Sequence, residues 1–249
     1  MEVILTYQEA KPYQINVTLI EVGNELVAKL LANQGKRMLS GILLAAGESK
    51  RMRSLKALLP LSPKGAEKGD TFVSFILRNL HLVCEEIILV LGYQANLIER
   101  KVVSLNLKVK IVINQEYEKG QLSSLRAGIR EVSPNCEGIL LALVDHPLVK
   151  KETYQLLRDR FFREKDKIII PTYKGKNGHP VIFSCLFFPE LVRAPLDKGA
   201  RYVVRGHPEK TIFLPVKDER VILNIDTPEK YNKFCSHFLT KGEVNYEHF

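Results

Sequence analysis

The sequence of 249 residues lacks the features of disulfide-rich and membrane-spanning proteins. Its four cysteines lie far apart, without a Cys-x-x-Cys pair or histidines at zinc-site spacing. We therefore expect reduced, mostly buried thiols of a cytoplasmic protein. No apolar run approaches the roughly 20 residues that a membrane span needs, and the first residues do not resemble a signal peptide. The sequence also lacks internal repeats and low-complexity tracts.

Positive charge is in excess, with a formal net charge of +9, but it forms no long Lys/Arg block. An excess of this kind favours an anionic partner. Because the cations are dispersed, a small phosphorylated ligand is expected rather than nucleic acid. We expect no membrane partner.

Short apolar runs alternate with amphipathic stretches from Ser40 onward. The runs are nearly continuous in Ile, Leu and Val, as in strands covered on both faces. This alternation predicts an α/β fold of three α/β/α layers with a mostly parallel sheet, whose active site lies outside the carboxyl ends of the strands. The predicted strands are residues 41–45, 86–91, 109–113, 138–144 and 167–170, and the predicted helices are residues 71–84, 94–104, 122–131 and 151–165.

The pattern also divides the chain. Residues 39–239 carry the α/β domain, and a length of this order can bury a core without disulfides or structural metals. Residues 1–38 are predicted to be an N-terminal extension of unknown role. Residues 62–70 are predicted to be a polar surface loop, and residues 240–249 a flexible tail.

The first predicted strand runs into a small and basic segment, residues 44–52. Its small residues, at positions 45–47, would let the backbone approach a ligand with N–H groups free to hold phosphate oxygens. Arg51 and Lys56 would supply the positive charge that a triphosphate requires. The alternative is a solvated turn with two surface cations.

Two aspartates are candidate metal ligands. Asp145 follows a strongly apolar predicted strand and precedes Pro147, and a carboxylate at such an edge suits Mg²⁺. The alternative is a helix cap near Lys151 or a turn aspartate. Asp226 offers a second carboxylate, but Asp-Thr-Pro is also an ordinary helix start.

These segments, taken in order, resemble the MobA-like nucleotidyltransferases, and within them the MocA branch that attaches a nucleotide to the molybdenum cofactor. The resemblance covers about residues 40–238 and implies a Rossmann-like sheet of the nucleotide-diphospho-sugar transferase type. It rests on Leu44-Ala-Ala-Gly-Glu-Ser-Lys-Arg-Met52 with Lys56, Asn114-Gln-Glu-Tyr117, Gly120-Gln-Leu-Ser-Ser-Leu-Arg-Ala-Gly128, Leu143-Val-Asp-His-Pro147, Gly178-His-Pro180 and Asp226-Thr-Pro228.

The resemblance implies a role for each matching position. Arg51, Lys56 and Asp145 would be catalytic, with the two cations on the phosphates. Asp145 and Asp226 would hold Mg²⁺. The implied nucleotide-binding residues are Leu44, Ala45, Ala46, Gly47, Ser49, Arg51, Lys56, Asn114, Ser124 and Gly128, and the implied acceptor-binding residues, near the pterin, are Gly178, His179 and Pro180.

Two further expectations concern specificity. Family members that transfer guanylate usually read Leu-Ala-Gly-Gly at the first strand end and those that transfer cytidylate read Ala-Ala-Gly, so Ala46 favours CTP. Four positions depart from the family pattern without removing a metal ligand. Arg53 replaces glycine, Gln121 replaces methionine, His146 replaces glutamine, and Lys230 replaces an acidic residue.

The hypothesis is a Mg²⁺-dependent cytidylyltransferase that transfers CMP from CTP to the phosphate of molybdenum-molybdopterin. It would release pyrophosphate, form the molybdopterin cytosine dinucleotide and contact a molybdenum hydroxylase. One alternative is the same chemistry with GTP or with another phosphorylated acceptor, such as a sugar phosphate. Another is a non-catalytic carrier of the molybdenum cofactor, although a carrier would need neither Asp145 nor Asp226.

Overall fold

The computed structural model describes residues 38–61 and 70–238. The predictions for residues 1–37, 62–69 and 239–249 lie outside the described residues. The strands are β1 (Leu39–Ala45), β2 (Glu86–Leu91), β3 (Lys110–Ile113), β4 (Gly138–Leu143), β5 (Ile168–Tyr173), β6 (Lys176–Asn177), β7 (Val181–Ser184) and β8 (Thr211–Pro215). The α-helices are α1 (Phe72–His81), α2 (Ala95–Val103), α3 (Gln121–Ile129), α4 (Lys151–Arg163), α5 (Phe188–Arg193), α6 (Arg201–Gly206) and α7 (Pro228–Phe238).

The strands form one mixed, mostly parallel sheet within these residues, in the order β3-β2-β1-β4-β7-β5-β6, with β8 beside β5. Strands β1 to β4 pair in parallel, and β8 pairs in parallel with β5. Strand β7 runs antiparallel to both β4 and β5. The predicted mostly parallel sheet is therefore confirmed, and β6, the antiparallel β7 and β8 are additions that the sequence analysis did not predict.

Helices cover both faces of the sheet. Since successive residues of a strand point to opposite faces, alternate residues of each strand pack against different helices. Leu43 and Ala45 of β1 pack in the core with α1, α2 and α4, whereas Ile42 and Leu44 pack with α3, α5 and α6. The predicted three-layer α/β/α architecture is confirmed. No helix within the described residues is long and apolar enough to cross a membrane.

Candidate functional site

The carboxyl ends of the central strands meet at one edge of the sheet. Ala45 at the end of β1 is in register with Leu91 at the end of β2, and Leu44 is in register with Leu143 at the end of β4. Segments that leave these strands must therefore lie side by side. The basic segment after β1 and Asp145 after β4 share this edge, as the crossover argument predicts.

The segment after β1 is a tight turn centred on Ser49. The backbone N–H groups of Met52 and Arg53 donate to the Ser49 carbonyl oxygen at 2.8 and 3.1 Å, and the Lys56 N–H donates to Ser49 Oγ at 3.4 Å. Ser49 and Arg53 both have positive φ, at 56° and 57°. Positive φ costs a non-glycine residue energy. The conformation of Arg53 thus accounts for the glycine that the resembling family usually has there.

An apolar cluster joins this turn to helix α7. Met52, Phe72, Ile225 and Phe234 are buried together, and the Tyr231 hydroxyl donates to the Pro60 carbonyl oxygen at 2.7 Å. Two sequence-distant segments therefore approach each other through apolar burial. Their charged neighbours, Arg51 and Asp226, are brought into contact as a result.

The two aspartates lie beside the predicted cations. The Ile225 N–H donates to the Asp145 carbonyl oxygen at 2.7 Å, which joins the backbones that carry the two carboxylates. Arg51 lies 3.0 Å from Asp226 Oδ2, and Lys56 lies 3.6 Å from Asp145 Oδ2. Lys230, one helical turn after Asp226, lies 2.7 Å from Asp226 Oδ1. We call these five charged residues the carboxylate edge.

Other residues perform the helix capping that was the alternative for each aspartate. Asp218 accepts from the Lys150 N–H at 2.9 Å and from the Thr153 hydroxyl at 3.0 Å, at the start of α4. Thr227 Oγ1 accepts from the Lys230 N–H at 3.4 Å at the start of α7. The side chains of Asp145 and Asp226 point to the cations instead.

The two carboxylates fit a divalent cation in their chemistry. Asp145 Oδ1 is buried and makes no hydrogen bond, which is costly for a carboxylate oxygen unless a cation completes its environment. The hydrogen bond from Lys230, opposed in part by burial, lowers the pKa of Asp226, so this group stays ionised at neutral pH. The described residues contain no group of three or more His, Cys, Asp or Glu side chains arranged for a metal. Further ligands would have to come from phosphate and water, as is usual for Mg²⁺.

Two histidines, His146 and His179, lie next to Asp145. The rings of His146 and His179 are 5.0 Å apart, and His146 Nε2 lies 3.9 Å from Asp145 Oδ1. Burial lowers the pKa of His146, and burial, followed by the nearby His146, lowers the pKa of His179 to about 4. Both rings are therefore neutral at pH 7. The backbone N–H of His179 donates to the Val221 carbonyl oxygen at 2.9 Å, and this bond holds His179 in position.

Asn114 lies at the end of β3, where its side chain is 7% exposed. Its amide donates to the hydroxyls of Ser123 and Ser124 at 2.9 and 3.0 Å, and its oxygen accepts from the Glu116 N–H at 3.0 Å. These bonds tie the end of β3 to the first turn of α3. Asn114 and Ser124 therefore position this loop, and their direct contact with a nucleotide stays a prediction.

The remaining predicted nucleotide-binding residues fall into two groups. Leu44, Ala45 and Ala46 are buried at the end of β1, next to the exposed Gly47. Gly128 instead lies where α3 packs on the sheet, and a Cβ there would come within 2.9 Å of Ile42 Cγ2. Packing accounts for Gly128, and nucleotide binding by this residue also stays a prediction.

Gly92, after β2, is a site residue that the sequence analysis missed. A Cβ at Gly92 would lie 2.6 Å from Tyr117 Cβ and 2.8 Å from the Ala46 carbonyl oxygen, which also accepts from the Tyr93 N–H at 2.9 Å. Glycine is thus required for the chain after β2 to pass against the segment after β1. The Leu-Gly-Tyr sequence at the end of a predicted strand was the available signal.

A cavity of about 390 Å³ lies next to His179, on the side of the sheet covered by α3 and α6. Its walls are mainly apolar, and a polar rim includes Gln121, Asn177 and Arg201. Gly178 is in the wall, and a Cβ there would lie 2.5 Å from the Val221 carbonyl oxygen. The apolar lining residues are Leu122, Leu125, Leu141, Ile170, Val181, Phe183, Leu196, Ala200 and Val204.

Comparison with known proteins identifies the family. The model of the MobA-like NTP transferase domain matches residues 41–211. The chain belongs to the MobA-like NTP transferase family. The matched residues contain the turn after β1, Asp145 and the cavity wall at Gly178 and His179, whereas Asp226 follows them. As a member of this family, the protein is a nucleotidyltransferase, and its α/β fold is the fold of similar solved structures.

Relatives of this MobA-like transferase have different names. The chain is 27% identical to the molybdenum cofactor cytidylyltransferase of Escherichia coli (strain K12) over 190 residues, 76% of this chain and 92% of that protein. It is also 27% identical to the purine catabolism protein PucB of Bacillus subtilis (strain 168) over 202 residues, 78% of this chain and 94% of that protein.

A solved structure bears on the metal. The structure of Rv0371c from Mycobacterium tuberculosis H37Rv in complex with manganese is similar, with a TM-score of 0.64 and 28% identity. The similarity covers 80% of this chain and 98% of that chain. A divalent cation thus occurs in a protein with this fold and appreciable sequence identity.

Proposed function

We propose that the protein transfers CMP from CTP to the phosphate of molybdenum-molybdopterin in the cytoplasm, with release of pyrophosphate. The observation that carries the proposal is the meeting of Asp145 and Asp226 beside Arg51 and Lys56, with Asp145 Oδ1 buried and without a hydrogen bond. The 27% identity to a molybdenum cofactor cytidylyltransferase supports this acceptor, and Ala46 supports CTP.

In this proposal, a phosphate oxygen of the acceptor forms a bond to the α-phosphorus of CTP. The bond from that phosphorus to the oxygen that bridges the α- and β-phosphates breaks, and pyrophosphate leaves with the bonding electrons. Asp145 and Asp226 would hold Mg²⁺, which when bound would neutralise charge on the phosphates. Arg51 and Lys56 would leave the carboxylates for the phosphates and stabilise the departing charge.

The two histidines would act by packing and hydrogen bonding. A phosphate monoester is already ionised near neutral pH, so the reaction does not need a strong general base. The lowered pKa of His179, about 4, also means that this side chain carries no charge to be neutralised by the acceptor. His179 would therefore orient the acceptor between the carboxylate edge and the cavity.

The cavity is the proposed binding place of the non-reacting part of the acceptor. It is apolar in its walls and polar at its rim, which suits a heterocyclic body with hydrogen-bonding edges. His179 lines the cavity, and its ring packs at a tilt against the ring of His146, the residue that follows Asp145. An acceptor bound there would have its phosphate directed to the carboxylate edge.

The same site also suits another phosphorylated acceptor. The chain is as similar to a purine catabolism protein as to the cytidylyltransferase, with 27% identity in both cases. Lys230 adds a cation where the resembling family has an acidic residue, and this would suit a more anionic acceptor. A non-catalytic carrier is disfavoured because it would not need both carboxylates.

Pyrophosphate release by the purified protein tests the proposal, with Mg²⁺ and molybdenum cofactor and with CTP compared with GTP. Release with CTP alone is the expected result. Release with GTP would retain the mechanism and overturn the assignment of the base. Binding of CTP without release would reject this acceptor and direct the search to a panel of phosphorylated compounds. Neither binding nor release would favour the carrier.

A further inference from the structure

Lys230 occupies an unusual place within the carboxylate edge. Its Nζ lies 2.7 Å from Asp226 Oδ1 and donates to Asn224 Oδ1 at 2.7 Å. The Asn224 amide in turn donates to Asp226 Oδ2 at 3.3 Å. The ammonium group therefore sits on the carboxylate that is a proposed metal ligand, with a second partner that fixes its position.

The balance of charge at this edge is positive in the absence of a ligand. Asp145 and Asp226 carry one negative charge each, and they contact Arg51, Lys56 and Lys230, which carry one positive charge each. A divalent cation placed between the carboxylates would meet three like charges within a few ångströms. Such repulsion is appreciable near a protein surface and opposes binding of the free metal.

Lys230 is able to leave Asp226 when another cation replaces it. Its side chain is 49% exposed and begins one helical turn after Asp226. A lysine has a flexible four-carbon stem and a strongly hydrated head, so the ammonium group can move to water or to a phosphate oxygen. Departure would uncover the buried Asp226 Oδ1, so a cation would have to take the place of the lysine there, while Arg51 lies 3.0 Å from Asp226 Oδ2.

We propose that Lys230 takes the place of a divalent cation at Asp226 until a nucleotide arrives, so that metal enters with the triphosphate rather than before it. This inference rests on the metal site proposed above. The negative charge of a triphosphate would reverse the local balance and give the lysine a new partner. Lys230 would thus make metal binding conditional on the presence of nucleotide.

The test is a titration of the full-length protein with Mn²⁺ in the absence of nucleotide. The electron paramagnetic resonance signal of free Mn²⁺ measures the affinity. Lys230→Gln removes the charge but keeps a hydrogen-bond donor for Asn224. We expect Lys230→Gln to bind Mn²⁺ about fivefold more tightly than the wild type, since a partly exposed ion pair is replaced. Lys230→Arg should bind like the wild type.

Lys233→Gln is the matched control, because Lys233 is exposed on the same helix and the variant makes the same change of charge. We expect its Mn²⁺ affinity to change less than about twofold, because solvent and salt screen an exposed charge. Equal affinities of Lys230→Gln, Lys233→Gln and the wild type would overturn the inference. An equal gain in both glutamine variants would also overturn it, since the effect would then be one of net charge.

A second measurement separates this inference from the proposed function. Binding of CTP is measured with and without Mn²⁺ for the wild type and for Asp226→Asn. If Mn²⁺ strengthens CTP binding only when Asp226 is present, the metal site is supported. An unchanged Mn²⁺ affinity of Lys230→Gln would then reject the inference about Lys230 but not the proposed metal site. If Asp226→Asn has no effect on this enhancement, the metal site and the inference both fail.

Discussion

The carboxylate edge and the apolar cavity lie on either side of His179 and are built in opposite ways. The edge brings five charged side chains into contact, so its energetics depend on charge balance and on the ions that enter. The cavity has walls of apolar side chains from several elements and polar residues at its rim, so its energetics depend largely on shape and on burial. In the proposed function, reaction chemistry at the carboxylate edge would depend on charge, and acceptor selection in the cavity on shape and burial.

This division has a consequence for variants. Changes at the edge should alter the rate of the chemical step and leave the affinity for the acceptor nearly unchanged. Changes in the cavity should do the reverse. His179 and Gly178 stand between the two regions, and their variants show how strongly the regions are coupled.

The largest expected effect is that of Asp145→Asn, which would break the edge alone. We expect the turnover rate of pyrophosphate release to fall by about 10² to 10³, because the proposed metal that would neutralise the phosphate charge loses a ligand. The backbone bond from Ile225 to Asp145 does not involve the side chain, so the fold should persist. Thermal unfolding and the rate are measured on the same sample.

Asp159→Asn is the control for this variant, because Asp159 is exposed on α4. Within the described residues, its side chain accepts a hydrogen bond from the Gln155 side chain. It should turn over at the wild-type rate. A folded Asp145→Asn protein with near-normal turnover would contradict the metal role of Asp145. Loss of acceptor affinity in this variant would contradict the division between edge and cavity.

The next effect concerns pH, at the histidine between the two regions. The pKa of His179 is lowered to about 4 in the folded protein, so between about pH 4 and the unfolded value of about 6.5 the unfolded chain binds the proton and the folded chain does not. Stability therefore rises with pH across this window and is lost on acidification. We expect the free energy of unfolding to fall by about 2 kcal/mol from pH 7 to pH 5 on this account.

Urea unfolding at the two pH values, with His179→Asn beside the wild type, checks this prediction. The variant should lose less stability on acidification. His207 gives a contrast, because its hydrogen bond to Glu190 raises the pKa of His207. Its contribution is present at low pH and is lost as pH rises, so His207→Asn should make the loss on acidification larger. Identical pH dependence in the wild type and His179→Asn would show that His179 is not buried as described.

Gly178→Ala would damage the wall between the cavity and the histidines. The new Cβ would lie 2.5 Å from the Val221 carbonyl oxygen and 2.7 Å from its carbon, which are backbone atoms that cannot turn away. Overpacking of this kind typically costs about 1–3 kcal/mol in the free energy of unfolding. Gly206→Ala is the control, since a Cβ there meets nothing within 4 Å.

Urea unfolding at neutral pH measures both glycine variants. If Gly178→Ala is as stable as Gly206→Ala, the close approach to Val221 is absent in solution. If Gly178→Ala is destabilised but binds the acceptor normally, the cavity wall and the acceptor site are separate.

The smallest effect is expected from Val204→Phe, which would fill the cavity and leave the edge intact. Val204 lies on α6, lines the cavity and is only partly buried, so a phenylalanine ring can be accommodated there. We expect the KM for the acceptor to rise about tenfold, the scale on which apolar pockets discriminate by size, while CTP binding is unchanged.

Val103→Phe makes the same substitution at a residue that is 68% exposed on α2, and it should leave both constants unchanged. An unchanged acceptor KM in Val204→Phe would remove the cavity from the acceptor site. An equal loss of CTP affinity would place the nucleotide there instead.

The core strands could be predicted because their signal is local. β1, β2 and β4 are rich in Leu, Ile and Val and nearly continuously apolar, and the structure places them centrally, buried on both faces. β7 could not be predicted in the same way. Its four residues, Val181–Ser184, become a strand because they pair with β4 and β5, which are distant in sequence.

The candidate site shows the same contrast. The turn at Ser49 and the carboxylate of Asp145 stood out locally, as small and charged residues directly after an apolar strand. Asp226 could not be separated from a helix cap by its local sequence. The structure separates them, because Thr227 accepts the helix N–H and the Asp226 carboxylate contacts Arg51.

The sequence by itself determined the first five strands and the helices between them, the edge of the sheet that carries the candidate site and the main polar residues at that edge. These follow from apolar periodicity and from residue types that are costly in a core. Only the tertiary structure decided that Lys230 contacts Asp226, that two neutral histidines pack against each other next to Asp145 and that a cavity with mainly apolar walls adjoins them. Such contacts join segments far apart in the chain, and burial and packing, which bring those segments together, are properties of the whole fold.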